Sequence, residues 1–445
     1  MKASSSPVSE HAVIHRAEWV VPVSSPPMRN GAVLTHGGRV TAVGPFPSVR
    51  RDSPAGVRLA DHGQAALFPA LVNAHTHLEL SALRGRIALP QPGFHEWLGL
   101  LLPLIAAMQA HSVDEGLREG VAELFAGGTG LCGDITNGAA VEHGGTAQRT
   151  DAAEGLSGGR GCAAAAPERQ IFLELLGFNL NSIAAALPPG LDKPYREAWS
   201  LAQAPRAGDG CPAIVPHSAY SVSPAIIAES KEWTRSRGLP FSIHVAEHPG
   251  EIEFLRTGGG FCREILENQG RWDPGWTPPG KTPVAYLDSL GALDPGTLLV
   301  HAVHMTESDW ALAAQRGCSV VFCPRSNRNL GSGRARIEKA LSLGIRCALG
   351  TDSLASNTDL NLFAEAGFTL DDHPSVDPER VIEMITINPA RALGRKGDFG
   401  SIEPGAKAYI LAVPIQSGVD ESNLAEALIQ SARQGALKWA DNPQG

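Results

Sequence analysis

Paired cysteines, an excess of basic charge and long apolar runs are all missing from this sequence of 445 residues. Its seven cysteines are an odd number, scattered from Cys132 to Cys347 with no CxxC spacing. That fits free thiols in a reducing compartment better than a disulfide framework. Lysine and arginine total 37 against 46 acidic residues, a formal charge of −9. Such a balance argues against nucleic acid as a partner. No apolar stretch reaches the ~20 residues of a membrane span. The most apolar one, 98–110, is interrupted by Pro103 and reads as a buried helix. The N-terminus lacks the apolar segment of a secretory signal, so a cytoplasmic protein without membrane contact is expected.

Aromatic residues are few, at 6%, but apolar residues make up 43%, too many for a disordered chain. The length holds two or three average domains, or one large barrel with an appendage. Short β-like runs at 12–14, 19–21, 31–34 and 39–43 are broken by Gly and Pro, and a similar run returns at 405–413. These predict a small β-sandwich built from both ends, 1–67 and 394–445.

Between them, eight apolar runs read as strands: 71–77, 129–135, 171–176, 213–216, 241–245, 298–301, 319–323 and 347–350. Segments with helical spacing intervene, such as 224–236, 259–269, 307–316 and 337–343. Eight strand–helix units predict an α/β fold, a (β/α)8 TIM-type barrel over 68–393. Strand counting alone leaves an open doubly wound sheet as the alternative. The Gly-, Ala- and Ser-rich segment 138–167 is expected to be a flexible surface insertion.

The chemistry-bearing residues fall at the ends of the predicted strands. His75 and His77 are two apart, so in a strand both imidazoles face one side. Imidazole pairs suit Zn, Fe or a similar ion, although an isolated HxH more often faces solvent. His244 and Glu247 follow another strand, His301 and His304 a third, and Asp352 the last. In a barrel the C-terminal ends of the strands converge on one face, where active sites are built.

The phrases Asn73-Ala74-His75-Thr76-His77-Leu78-Glu79, His244-Val245-Ala246-Glu247, His301-Ala302-Val303-His304 and Gly350-Thr351-Asp352-Ser353 occur in the order seen in the amidohydrolase superfamily. The likeness runs from about residue 10 to 413 and is nearest to its mononuclear deaminases and chlorohydrolases. It implies the barrel, the split sandwich and one divalent metal, Zn first and Fe second. By that resemblance His75, His77, His244 and Asp352 would be the ligands. Asp352 would also take a proton from the bound water, Glu247 would shuttle it to a ring nitrogen, and His301 would steady the hydroxide. His304 is the alternative to His301. The fourth predicted strand holds no lysine for a second metal, and the nearest candidates are Lys193 and Lys231.

The resemblance also points to His217 as a substrate contact and to Arg84 and Trp97 as pocket residues. Glu79 would face the same cavity if the first strand continued. Arg325 either meets an acidic substituent or pairs with a carboxylate. The motif phrases resemble most the aminodeoxyfutalosine deaminases of menaquinone synthesis, followed by S-adenosylhomocysteine/methylthioadenosine deaminases. The implied reaction is hydrolytic release of ammonia from an aminated purine-like ring of a small molecule. Triazine or chloro-heterocycle hydrolysis uses the same machinery, and a homodimer is compatible with the resemblance. A metal-free scaffold barrel is the rival of a different class, and it would be expected to have lost ligands that are all filled here.

Overall fold

The computed structural model describes residues 12–138, 166–188 and 212–442. The expected insertion at 138–167 lies outside these residues except at its two ends, as does Lys193.

Seven short strands open the chain: β1 (Val13–Arg16), β2 (Trp19–Val20), β3 (Met28–Arg29), β4 (Gly31–His36), β5 (Arg39–Pro45), β6 (Arg58–Asp61) and β7 (Ala65–Pro69). Eight parallel strands follow: β8 (Leu71–Thr76), β9 (Thr129–Thr136), β10 (Glu168–Leu175), β11 (Ala213–Pro216), β12 (Phe241–Val245), β13 (Thr297–His301), β14 (Ser319–Phe322) and β15 (Arg346–Leu349). The last two are β16 (Ile410–Pro414) and β17 (Lys438–Asp441).

β8 to β11 form one arc and β12 to β15 the other. Parallel bridges join the arcs, Ser218 to His244 on one seam and Thr76 to Asp352 on the other. On those seams the His244 amide donates to the His217 carbonyl at 2.9 Å, and the Asp352 amide to the His75 carbonyl at 3.1 Å. The sheet therefore closes into the eight-stranded barrel, and both seams run through candidate site residues. Gly350 lies at the second seam, where an added Cβ would come within 2.8 Å of the His75 carbonyl oxygen. Only glycine lets the two backbones approach that closely.

The barrel strands are apolar without alternation, as in Leu298-Leu299-Val300, because both faces are covered. Helices close the outside. Pro224–Arg237 starts on the Ser223 cap and stops at left-handed Gly238. Glu307–Arg316 starts on a Thr306–Asp309 capping box and stops at left-handed Gly317. Each seats a tryptophan, Trp233 or Trp310, against the strands with almost no exposure. Burying one large apolar side chain contributes about 1.5–3 kcal/mol.

The termini supply the auxiliary sheets. One has the order β5-β4-β1-β6; the other is β17-β16-β7-β2-β3, with β16 inserted antiparallel between β17 and β7. The expected buried helix at 98–110 is instead Phe94–Ala107, buried only at Phe94, Trp97 and Leu101. Leu100 is 50% exposed, because one face of this helix covers the site while the other meets solvent.

Candidate active site

β8 ends at Thr76, so His75 points inward from the strand and His77 starts the short helix Leu78–Leu83. β12 carries His244, and Asp352 follows β15. The ligating atoms of His75, His77 and His244 all lie within 4.8 Å of one another. Asp352 Oδ1 stands 3.8 Å from His75 Nε2 and 3.6 Å from His77 Nε2. Its other oxygen, Oδ2, accepts hydrogen bonds from the Ser326 hydroxyl at 2.6 Å and the Ser356 hydroxyl at 2.8 Å. His244 donates through Nδ1 to the His217 carbonyl at 2.9 Å, which turns Nε2 toward the cluster.

His75 tests whether a metal fits. It is fully buried, and both ring nitrogens lack a hydrogen-bond partner. Burying such a group unpaired costs stability, and a cation at the centre of the cluster would supply a partner for the nitrogen that carries the lone pair. Burial, then the neighbouring imidazoles, push His75 well below the usual histidine range. His244 is likewise held well below it, chiefly by burial. Both are neutral at pH 7, the form that ligates. His75, His77 and His244 form a site for a single divalent ion of the zinc type. A second group of donors, Glu174, His217 and His244, shares His244. Lys231 is spent elsewhere, its ammonium donating to Asp294 at 2.6 Å and Thr297 at 2.8 Å.

Glu247 lies beyond β12. Burial first, then Asp352, Glu251 and Glu174, raise its carboxyl well above the usual range, which favours the protonated form. His301 donates through Nδ1 to Asn327 Oδ1 at 2.9 Å, leaving Nε2 bare and 3.5 Å from Glu247 Oε1. His304 turns away, donating through Nε2 to the Ser332 carbonyl at 2.8 Å. Six non-glycine residues among those described have positive φ, and four of them, Ala246, His301, Ala302 and Asp352, lie at these strand ends. Such conformations cost about 1–3 kcal/mol each and cluster at functional sites.

A cavity of about 520 Å³ opens beside the cluster, lined in part by His77, Glu79, Trp97, His217, Glu247 and His301. Glu79 reaches it from the short helix, since β8 does not continue to that point. It accepts from the Thr136 hydroxyl at 2.7 Å and from the Asn137 amide and side chain at 3.0 and 3.1 Å. Trp97 donates to the Ala355 carbonyl at 2.9 Å, which fixes its ring as a wall. His217 pairs with Glu174 Oε1 at 2.8 Å. Burial alone would raise Glu174, but His217 and the other imidazoles outweigh it and bring the carboxyl down to about 2.

Arg84 is not brought to the cavity. It donates to the Thr358 carbonyl at 3.2 Å and pairs with Glu123. Arg325 pairs with Asp359 at 2.6 Å. Glu174, Asn137, Asn327 and Tyr220 belong to the site or its support, and sequence reasoning passed over them. Glu174 alone had a signal, an acid inside the otherwise apolar run 171–176.

A model of the amidohydrolase family matches residues 66–436. The chain is 32% identical over 388 residues to the aminodeoxyfutalosine deaminase of Deinococcus radiodurans, covering 83% of this chain and 82% of that one. It is 31% identical over 405 residues to the 5-methylthioadenosine/S-adenosylhomocysteine deaminase of Nitratidesulfovibrio vulgaris, covering 88% and 80%. Among solved structures, an adenosine deaminase from Xanthomonas campestris with bound zinc superposes with a TM-score of 0.69 at 24% identity, over 95% of this chain and 90% of that one. The chain belongs to the amidohydrolase family, in its branch of metal-dependent deaminases that hydrolyse C–N bonds.

Proposed function

We propose that the protein hydrolyses the amino group from a purine-type nucleoside, with 6-amino-6-deoxyfutalosine as the favoured substrate. The observation that carries this reading is the buried Glu247 carboxyl, 3.5 Å from His301 Nε2, beside the cluster of His75, His77 and His244. Replacing an amine by water requires a nucleophile and a proton for the leaving nitrogen. When bound, one divalent ion supplies the Lewis acidity that makes water nucleophilic near neutral pH.

The side chains do the rest. Asp352 Oδ1, free of the serine hydroxyls that hold Oδ2, accepts the proton of the attacking water. Glu247 delivers a proton to the ring nitrogen next to the amino-bearing carbon and regains one from the hydroxyl of the attacking oxygen as the carbonyl forms. Asp352 passes the proton it took from water to the departing amine, which leaves as ammonia. His301 accepts a hydrogen bond at bare Nε2, because Asn327 holds the proton on Nδ1. His217 and Glu79 offer polar contacts to the nucleoside, and Trp97 a flat wall.

The relatives named above support the nucleoside class, and the first of them supports the favoured substrate. The same reading places the enzyme in menaquinone synthesis and in the cytoplasm. No helix among the described residues is long and apolar enough to cross a membrane. Ammonia release should be measured with 6-amino-6-deoxyfutalosine, 5′-methylthioadenosine and S-adenosylhomocysteine. The highest kcat/KM is expected for the first. A tenfold preference for either of the others replaces it as the substrate, and no release from any of them overturns the reading.

A further inference from the structure

The cavity continues past the polar cluster between two apolar walls. Leu98, Leu102, Ile105 and Met108 line one, from the helix Phe94–Ala107 and the residue after it. Ile265 and Leu266, from the helix Phe261–Asn268, line the other. Ile105 is 36% exposed although apolar, the condition of a wall awaiting an apolar ligand.

Two polar residues join this wall directly after its second helix, Gln269 and Arg271. Arg271 is anchored by its amide, which donates to the Leu266 carbonyl at 2.8 Å. The residue lines the cavity, half-buried, and its guanidinium has no hydrogen bond, ion pair or ring contact among the described residues. Neighbouring charges are spoken for. Arg263 pairs with Glu267 at 2.8 Å and lies over Trp272. Asp273, two residues from Arg271, turns its carboxylate to the Gly275 amide at 2.9 Å. A half-buried, always-charged fork beside an apolar wall is suited to a carboxylate that arrives with the substrate.

We infer that Arg271 is a specificity residue for nucleosides whose 5′ arm is apolar and ends in a carboxylate. The inference rests on the deaminase reading and adds to it: the purine ring lies at the metal cluster, the arm runs between the two helices, and its acid meets Arg271. Gln269 supplies a further donor at the same end.

A matched pair of substrates isolates this contact: 5′-S-(4-carboxybenzyl)-5′-thioadenosine and 5′-S-benzyl-5′-thioadenosine. The wild-type enzyme should prefer the acid. Arg271→Met should lower kcat/KM for the acid by about 10- to 100-fold, mostly through KM, as loss of a charge-assisted contact remote from the chemistry predicts. The neutral analogue should change by less than about threefold, which also shows that the variant is folded, and Arg271→Lys should fall between. Equal use of both analogues by the wild type, or an equal loss on both in Arg271→Met, overturns the assignment while leaving the deaminase reading standing. No ammonia from either analogue or from adenosine itself overturns both.

Discussion

Glu247 Oε1 stands 3.5 Å from His301 Nε2, and both side chains are buried. Burial favours the protonated form of the carboxyl and Asn327 leaves His301 Nε2 bare, so side by side they offer an acid and an acceptor. Glu247→Gln keeps the shape and removes the transferable proton. Turnover should fall by at least about 10²- to 10⁴-fold, with metal content unchanged by elemental analysis. Near-normal ammonia release from metal-loaded Glu247→Gln contradicts the role given to Glu247.

Asp352 is oriented by the Ser326 and Ser356 hydroxyls, which hold Oδ2 and leave Oδ1 to the imidazoles. Partners of this kind typically contribute 10- to 100-fold in metal affinity or activity. The double substitution Ser326→Ala/Ser356→Ala should therefore weaken zinc binding by about that factor. Competition with a chromophoric chelator checks it, and unchanged affinity would show that Asp352 needs no such support.

Glu251 gives the fold a pH dependence. Its carboxylate is fully buried and accepts the Glu247 amide at 3.3 Å, yet burial pushes it from the usual 4.5 up to about 8. Between those values the folded chain keeps a proton that the unfolded chain has lost. Stability contributed by this group is therefore complete below about 4.5 and falls as pH rises, until it is gone above about 8. The slope is at most about 1.4 kcal/mol per pH unit. Denaturant unfolding from pH 5 to 8 should show a shallower decline in Glu251→Gln than in the wild type. Parallel curves would mean that Glu251 ionises normally.

The barrel was legible because its strands are buried on both faces and read as uninterrupted apolar runs bounded by turns. Even the ends agree closely, as with 213–216 and 241–245. The metal-site histidines were legible because each falls at a strand end in a short phrase, and His75, His77 and His244 do come together, with Asp352 3.6–3.8 Å from two of them. Residues whose role depends on a partner far along the chain were not. Arg84 lies four positions after the cavity-lining Leu80, but Glu123, 39 positions away, holds its guanidinium. Asn327 and Glu174 act on imidazoles at the end of the neighbouring strand, His301 and His217, 26 and 43 positions away. Glu79 reaches the cavity for a different reason from the one its spacing gave. The helix at Phe94–Ala107 looked fully buried because composition does not reveal that one apolar face lines a cavity.

The central claim is that one divalent ion sits among His75, His77 and His244, within reach of Asp352. Anomalous diffraction at the zinc edge from crystals of the zinc-loaded protein tests it directly. The account predicts a single strong peak at ligand distance from all three imidazoles. A peak held by Glu174 and His217 in place of His75 and His77, or none in the barrel mouth, would contradict it.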